Sequence, residues 1–275
     1  MSIITLTTDF GLKDHFVGAL KGKILSEFPT ASIVDISHEI GLFNTTETAY
    51  IISASYASFP KGTVHLIGVD AELNNETQHL AMQWNDQYFI CADNGILSML
   101  TSKIIPQKIV TINIHDRLPS GSTDMDVFVT VACHIAKGGS LNVIGKEITQ
   151  IKEVTELQAV ANDAGNSLKG YITYIDHFGN VVSNISKKLF LEVSKGREYE
   201  VVFKGYRLKT ILPNYSSIAI STKYPLKNYE GEKLAIFNEA GFLEIAIFKS
   251  NPPYIGSASS LLGLYYRDLI TINFK

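Results

Sequence analysis

Apolar residues recur along this chain with two different periods, and the change from one to the other divides it. "SIITLTTDF" is a β-rich run, after which "DHFVGALKGKILSEF" spaces Phe16, Leu20, Ile24 and Phe28 along one helical face until Pro29 stops the helix. "SIVDIS" predicts a second strand, "NTTETAYIISASYASF" a second helix entered through Asn44 or Thr45 as its cap, and "TVHLIGV" a third strand. This β-α-β-α-β alternation predicts a parallel sheet covered by helices on right-handed crossovers. Beyond it, "HLAMQW" and "QYFICADNG" predict a hairpin turning at Asn85 and Asp86. A short helix, the strand "KIVTIN" and the helix "VFVTVACHIAKG", ended by Gly138 and Gly139, follow.

After "LNVIGKEI" the pattern changes. Residues 151–168, "IKEVTELQAVANDAGNSL", hold no long apolar run and finish in a polar cluster, as a linker or an edge strand does. From 169 onward the runs are short and β-like: "GYITYIDHFGNVVSNIS", "YEVVFKG", "YRLKTIL", "KLAIFN", "FLEIAIF" and "LITINF". They predict a small antiparallel barrel or sandwich. The expected division is an α/β N-terminal domain with a mainly parallel sheet over 1–155, a linker over 156–168 and an all-β, small-barrel C-terminal domain over 169–275.

Composition narrows the function classes. With 275 residues and 45% hydrophobic content, the chain can fill a core in each domain. A formal net charge of -3 gives no basic field for nucleic acid or an anionic membrane. The start "MSIITLTTDFG" has no cationic stretch before its apolar run. No apolar stretch reaches the roughly 20 residues of a bilayer span, so a cytoplasmic protein is expected. Cys91 and Cys133 lie in apolar segments, where buried reduced thiols are expected, and two cysteines are too few for a zinc site.

In open α/β sheets, ligands bind beyond the carboxyl ends of the strands. The first strand ends in "TTDFG" and the third in "GVDAE", which brings Asp9 and Asp70 to that edge. Asp14 stands at the start of the first helix, where a cap would equally explain it. Each strand-end acid alone reads as a turn cap, but two at one edge point to a site. In the second half, Asp176 follows an alternating strand, and Phe178, Gly179 and Asn180 form a turn that a hairpin alone would explain.

Six segments in register carry a resemblance. "TLTTDFGLKDHFVGALKG", "VDISHEIGLFNTTETAYII", "FPKGTVHLIGVD", "ADNGILSML", "YIDHFGNVVSNI" and "GFLEIAIF" with "GSASSLLGL" span almost the whole chain. Together they resemble the S-adenosylmethionine hydroxide adenosyltransferase family, relatives of the fluorinating and chlorinating enzymes. The resemblance implies an N-terminal α/β domain, a C-terminal β-barrel and a homotrimer with its sites between subunits. It also implies displacement at the ribose 5′ carbon, in which a water-derived hydroxide attacks and methionine leaves from the sulfonium. Adenosine and methionine form without metal or redox cofactor.

The resemblance further implies roles for particular residues. Asp9 looks like the ribose-diol ligand, Asp14 and Asp176 like partners of the methionine ammonium, and Phe43 like an aromatic residue near the ribose and sulfonium. Phe178 resembles a ring stacked on adenine, Asn180 a hydrogen-bond partner of the adenine edge, and Ala258 a backbone contact to adenine. Asn238 and Gly241 fall in a loop over the amino-acid end, and Phe242 stands where fluorinase-type members carry an Arg.

The pattern breaks around Asp70. In the hydrolases this strand-end Asp belongs to an Asp-Arg-His set, whereas here Thr77, or Gln78 with a one-residue shift, takes the Arg position. Thr123 takes the His position, with Asp124 directly after it, and the family's Pro-Gly after the Asp has become Ala71-Glu72. Bulk water has a pKa of about 15.7 and general-base help is worth about 10²- to 10⁴-fold, so hydrolysis here needs a substitute base. Asp70, Asp124 and His79 are the candidates, with the Thr77 and Thr123 hydroxyls beside them. The same residues also fit a non-catalytic S-adenosylmethionine or adenosine binder, or a protein for a related nucleoside, since Phe242 and Glu239 alter the amino-acid end. The charge of Asp124 disfavours a halide nucleophile.

Overall fold

A computed structural model describes residues 2–101, 104–219 and 224–275. The chain divides into two compact units, Met1–Val154 and Thr155–Lys275. In the first, strands β1 (Ile3–Thr8), β2 (Ser32–Ser37), β3 (Val64–Gly68), β4 (His79–Trp84), β5 (Gln87–Ala92), β6 (Lys108–Ile112) and β7 (Gly145–Glu147) form one sheet in the order β2-β1-β3-β5-β4-β6-β7. The β2, β1, β3 and β5 strands run parallel, and β4, β6 and β7 extend the sheet antiparallel.

Helices α1 (Phe16–Glu27), α2 (Thr45–Ser55), α3 (Ile96–Thr101), α4 (Asp124–Ala136) and α5 (Leu141–Ile144) complete this unit. On one face, Leu20 and Ile24 of α1 and Phe128 and Val131 of α4 pack with Ile4, Leu6, Val64 and Leu66. On the other, Ala49 and Ile52 of α2 and Leu97 of α3 pack with Ile67, Val69 and Leu80. Cover on both faces explains why every residue of β3 is buried, His65 included, rather than alternating between buried and exposed.

Local chemistry fixes the element ends. Asn44 caps α2: its side-chain oxygen accepts the Glu47 N–H at 3.1 Å and its amide donates to the Glu47 carboxylate at 3.0 Å. Asn85 and Asp86 both lie at positive φ, +50° and +59°, the pair a two-residue I′ hairpin turn requires. The first helix departs from its expected phase. Val17, Leu20 and Ile24 are the buried stripe, Phe16 is 50% exposed, and Phe28 lies beyond the last turn. Asp14 does not cap this helix; His15 holds the N-cap position and makes no side-chain capping bond.

The second unit contains β8 (Val160–Ala161), β9 (Ser167–Ile175), β10 (Val181–Ser186), β11 (Tyr199–Phe203), β12 (Tyr206–Leu208), β13 (Lys233–Phe237), β14 (Phe242–Ile247) and β15 (Leu269–Phe274). They pair antiparallel in the order β12-β11-β15-β9-β10-β14-β13, with β8 on β9. Leu212, just past β12, bridges to Ile236 of β13, so the sheet nearly closes into a barrel. Leu168, Ile172, Val181, Ile185, Val201, Leu243, Ile245 and Ile272 fill it.

The α-helices α6 (Lys187–Ser194) and α7 (Ala258–Leu262) interrupt the strands, and α6 falls where the sequence predicts only short β runs. Ser186 caps it by accepting the Leu189 N–H, and Phe190 alone of its first turns is buried. The 156–168 stretch belongs to this unit, and its β8 extends the sheet from β9. Both cysteines are buried and unpaired, and burial raises the Cys133 thiol to about 11. Among the described residues no helix is long and apolar enough to cross a membrane.

Candidate functional site

Strands β1 and β3 are parallel neighbours with Thr8 opposite Gly68, so Asp9 and Asp70 leave adjacent strand ends. Asp9 is half-buried, and its Oδ2 accepts the Phe43 N–H at 2.9 Å. That bond fixes the loop leading to the Asn44 cap while the Phe43 ring stays 69% exposed. Phe43 and Asp70 both occupy the left-handed region, at φ +58° and +45°. A non-glycine residue there costs about 1 kcal/mol, and such positions cluster at functional sites.

The backbone of Asp70 is held from behind. Asn94, buried beyond the end of β5, donates its Nδ2 to the carbonyls of Val69 and Asp70, both at 3.0 Å. The Asp70 side chain is exposed, and its carboxylate has no partner among the described residues. Asp14 is exposed in the bend ahead of α1.

The loop after Asp70 is gripped by groups from two other elements. His79, fully buried at the start of β4, has its Nε2 2.9 Å from the Ala71 carbonyl and its Nδ1 3.0 Å from Nε2 of His115. Its ring packs edge-on against Phe128 of α4, centroids 4.6 Å apart. Asp124, first residue of α4, accepts the Leu73 N–H at 3.3 Å through Oδ2 and places Oδ1 3.8 Å from His79 Nε2. Burial pushes the His79 pKa below its ordinary value; the Ala71 carbonyl and the Asp124 charge pull it up without reversing the shift, and His115 adds to the depression.

The two threonines lie nearby with their backbones already engaged. Thr77 closes a turn in which Asn74 Oδ1 accepts the N–H groups of Glu76 and Thr77, both at 2.9 Å, and Gln78 beside it is exposed. The Thr123 hydroxyl donates to Asp126 Oδ2 at 2.9 Å and accepts the Asp126 N–H, a capping box that starts α4. The structure thus brings Asp124 onto the Asp70 loop and gives Thr123 to the helix start. His115, in a 3-10 turn at His115–Arg117, escaped the sequence reading. The antiparallel β4–β6 register, with Leu80 opposite Thr111, is the signal: it sets His79 level with the end of β6, just ahead of His115.

In the second unit, Asp176 follows β9 and is closed into its own turn. Its Oδ1 accepts the Asn180 N–H at 2.8 Å and its Oδ2 the Asn180 side-chain amide at 2.9 Å. The same amide lies 3.1 Å from the Tyr215 hydroxyl, which donates to Glu244, and Asn238 Nδ2 reaches the other Glu244 oxygen at 3.2 Å. Burial is the main cause raising the pKa of both Tyr215 and Glu244; the neighbouring carboxylates raise the phenol further, while the Tyr215 and Asn238 bonds oppose the shift of Glu244. Neither residue was singled out from the sequence.

Around that network the remaining expected residues assemble. Asn238 Oδ1 accepts the Phe242 N–H at 3.1 Å, and Gly241, at φ +79°, completes the turn by donating to the Asn238 carbonyl at 2.9 Å. Phe178 points outward, 59% exposed. Ala258 is fully buried at the start of α7, and the next residue's N–H donates to the Gly179 carbonyl at 3.0 Å, tying that turn to the one that carries Phe178. The approach is so close that a Cβ on Gly179, whose φ is +70°, would meet Ser257 at 2.3 Å. Among the described residues no group of three His, Cys, Asp or Glu could hold a metal ion.

Known proteins are similar to this chain in sequence and, for a solved structure, in fold. An (R)-S-adenosyl-L-methionine hydrolase of Methanocaldococcus jannaschii is 31% identical over 284 residues, covering 99% of this chain and 96% of that protein. A fluorinase of Nocardia brasiliensis is 23% identical, covering 89% of each. The solved structure of an uncharacterized conserved protein from Thermotoga maritima superposes with a TM-score of 0.82 at 29% identity, covering 98% of this chain and 99% of that one. Residues 4–145 match the SAM hydroxide adenosyltransferase N-terminal domain and residues 170–271 its C-terminal domain. The chain belongs to the SAM hydroxide adenosyltransferase family.

Proposed function

We propose that the protein hydrolyses S-adenosylmethionine to adenosine and methionine, with Asp70 as the group that takes the proton from water. The observation that carries this is the Asp70 carboxylate, without a partner among the described residues, standing beside Asp9 at the carboxyl edge of the parallel strands on a left-handed residue. Water attacks the ribose 5′ carbon, the carbon–sulfur bond breaks with its electron pair passing to sulfur, and the water proton goes to Asp70. The sulfonium charge disappears in that step, so alignment and exclusion of water supply most of the acceleration.

The remaining residues bind and orient. Asp9 accepts from the ribose diol, with the Phe43 ring alongside. Asp14 and Asp176 face the methionine ammonium, and Phe178 stacks on adenine with the backbone at Ala258 at its edge. The Asn180 amide, bonded inward to Asp176 and Tyr215, shapes the turn that presents Phe178. Asn238, Gly241 and Phe242 border the amino-acid end. The leaving group is built into the substrate, so the reaction needs no metal or redox cofactor. A cytoplasmic homotrimer completes the proposal, resting on the family resemblance and tested by sedimentation equilibrium.

Incubation with S-adenosylmethionine in ¹⁸O-labelled water tests the reading. Adenosine carrying the label in its 5′-hydroxyl, with an equal amount of methionine, is the expected result. S-adenosylmethionine bound but left intact would make the protein a binder, and unlabelled adenosine would move the attack away from the 5′ carbon.

A further inference from the structure

The hydrolase reading leaves open what holds Asp70 in place without the Arg and His expected from its relatives, and the hydrogen bonds behind it answer this. A carbonyl oxygen can only accept, so the proton between His79 and Ala71 sits on His79 Nε2. A neutral imidazole carries one N–H, which makes His79 Nδ1 an acceptor and His115 Nε2 the donor across their 3.0 Å contact. The chain of protons has one direction: His115 to His79 to the Ala71 carbonyl.

Burial favours the neutral ring this chain requires. Asp124 and His115 are the charged or titratable groups facing His79, and Phe128 closes the apolar side. On the same loop, Asp124 takes the Leu73 N–H. Residues 71 and 73 are therefore held from β4 and from α4, while Asn94 holds the carbonyls of 69 and 70 from beyond β5. Four of the five residues from 69 to 73 are tied to three separate elements.

We infer that His79, with its tautomer set by His115, and Asp124 form a two-point clamp on the loop after Asp70, and that they act as positioning residues for the Asp70 carboxylate. This rests on the proposed hydrolysis, in which Asp70 must stay aligned with water and the 5′ carbon. The clamp uses an uncharged ring and a helix-terminal carboxylate.

The test pairs a spectroscopic signature with a kinetic split. In long-range ¹H–¹⁵N spectra of the full chain at neutral pH, His79 shows a protonated Nε2 and an acceptor-type Nδ1; a protonated Nδ1 with a bare Nε2 overturns the clamp. His79→Gln keeps a donor for the Ala71 carbonyl and retains kcat within about 5-fold, whereas His79→Leu loses about 10²-fold in kcat with Kd for S-adenosylmethionine unchanged, the scale of a misplacement near 1 Å. Equal kcat in His79→Leu and the parent, with the variant folded, contradicts the clamp. If His79→Leu does not fold, Asp124→Ala, at a half-buried position, frees the Leu73 N–H; a loss of kcat at constant Kd supports the clamp and full activity opposes it. If the parent makes no adenosine, the hydrolase reading falls by itself, and the His79 tautomer still decides whether the clamp exists.

Discussion

Asp70 and Asp176 each follow a strand, and the protein treats them differently. Asp176 has both oxygens engaged by Asn180 and sits against a network of half-buried Tyr215 and Asn238 around the buried Glu244. Asp70 has its backbone tied down by Asn94 while its carboxylate is left open to solvent. A carboxylate with each oxygen already accepting one hydrogen bond is a shaped, static charge whose remaining lone pairs suit it to meeting a cation. One with empty lone pairs on a strained but anchored backbone can accept a proton. The difference separates binding from turnover, and substitutions at the two edges should separate them too.

The largest effect on binding is expected from Asp9→Ala. Two hydrogen bonds from the ribose diol to a carboxylate are worth about 1.5–3 kcal/mol each, so Kd for S-adenosylmethionine should rise about 10²-fold or more in titration calorimetry. An unchanged Kd would remove Asp9 from the pocket.

A second effect comes from the closed interior below the open edge. His65 is fully buried, accepting from Thr5 at 2.7 Å and donating to Gln87 at 2.5 Å, and burial lowers its pKa from 6.5 to about 4. Above 6.5 the ring is neutral in folded and unfolded chains alike. Between 6.5 and about 4 the unfolded chain binds a proton that the folded one refuses, so stability falls with falling pH, and this contribution levels off below 4. The loss is about 3 kcal/mol. Urea unfolding at pH 7 and pH 4.5 reads it, and His65→Gln should flatten the slope.

A smaller effect is expected at the second edge. Tyr215→Phe removes the donor to Glu244 Oε1 and one of the two acceptors of the Asn180 amide, which costs about 1–3 kcal/mol of stability. It should loosen the Asp176 turn and weaken S-adenosylmethionine binding without a specific loss of kcat. A kcat effect at constant Kd would erase the distinction between the two edges.

What was legible in the sequence was local or repetitive. The β3 strand, the Asn85–Asp86 turn and the Asn44 cap each need only neighbouring residues, and each stands as expected. The phase of α1 did not, because its starting residue is set by the loop carrying Asp9 and Gly11, whose N–H donates to the His38 carbonyl at 2.7 Å. Helix α6 was missed since its eight residues carry one strongly buried aromatic among charges, too short a window for a clear period. In the site, strand-end acids could be read from strand boundaries. The His79–His115 contact depends on an antiparallel pairing of distant strands, and Glu244 sits in an apolar strand where alternation alone would send it outward.

The most direct test of the account is Asp70→Ala, measured for turnover and for binding on the same preparation. The account predicts that kcat for adenosine formation falls about 10²- to 10⁴-fold, the usual value of a general base, while Kd for S-adenosylmethionine stays within about 2-fold of the parent. An Asp70→Ala protein that turns over as fast as the parent, or that loses binding and rate together, would contradict it.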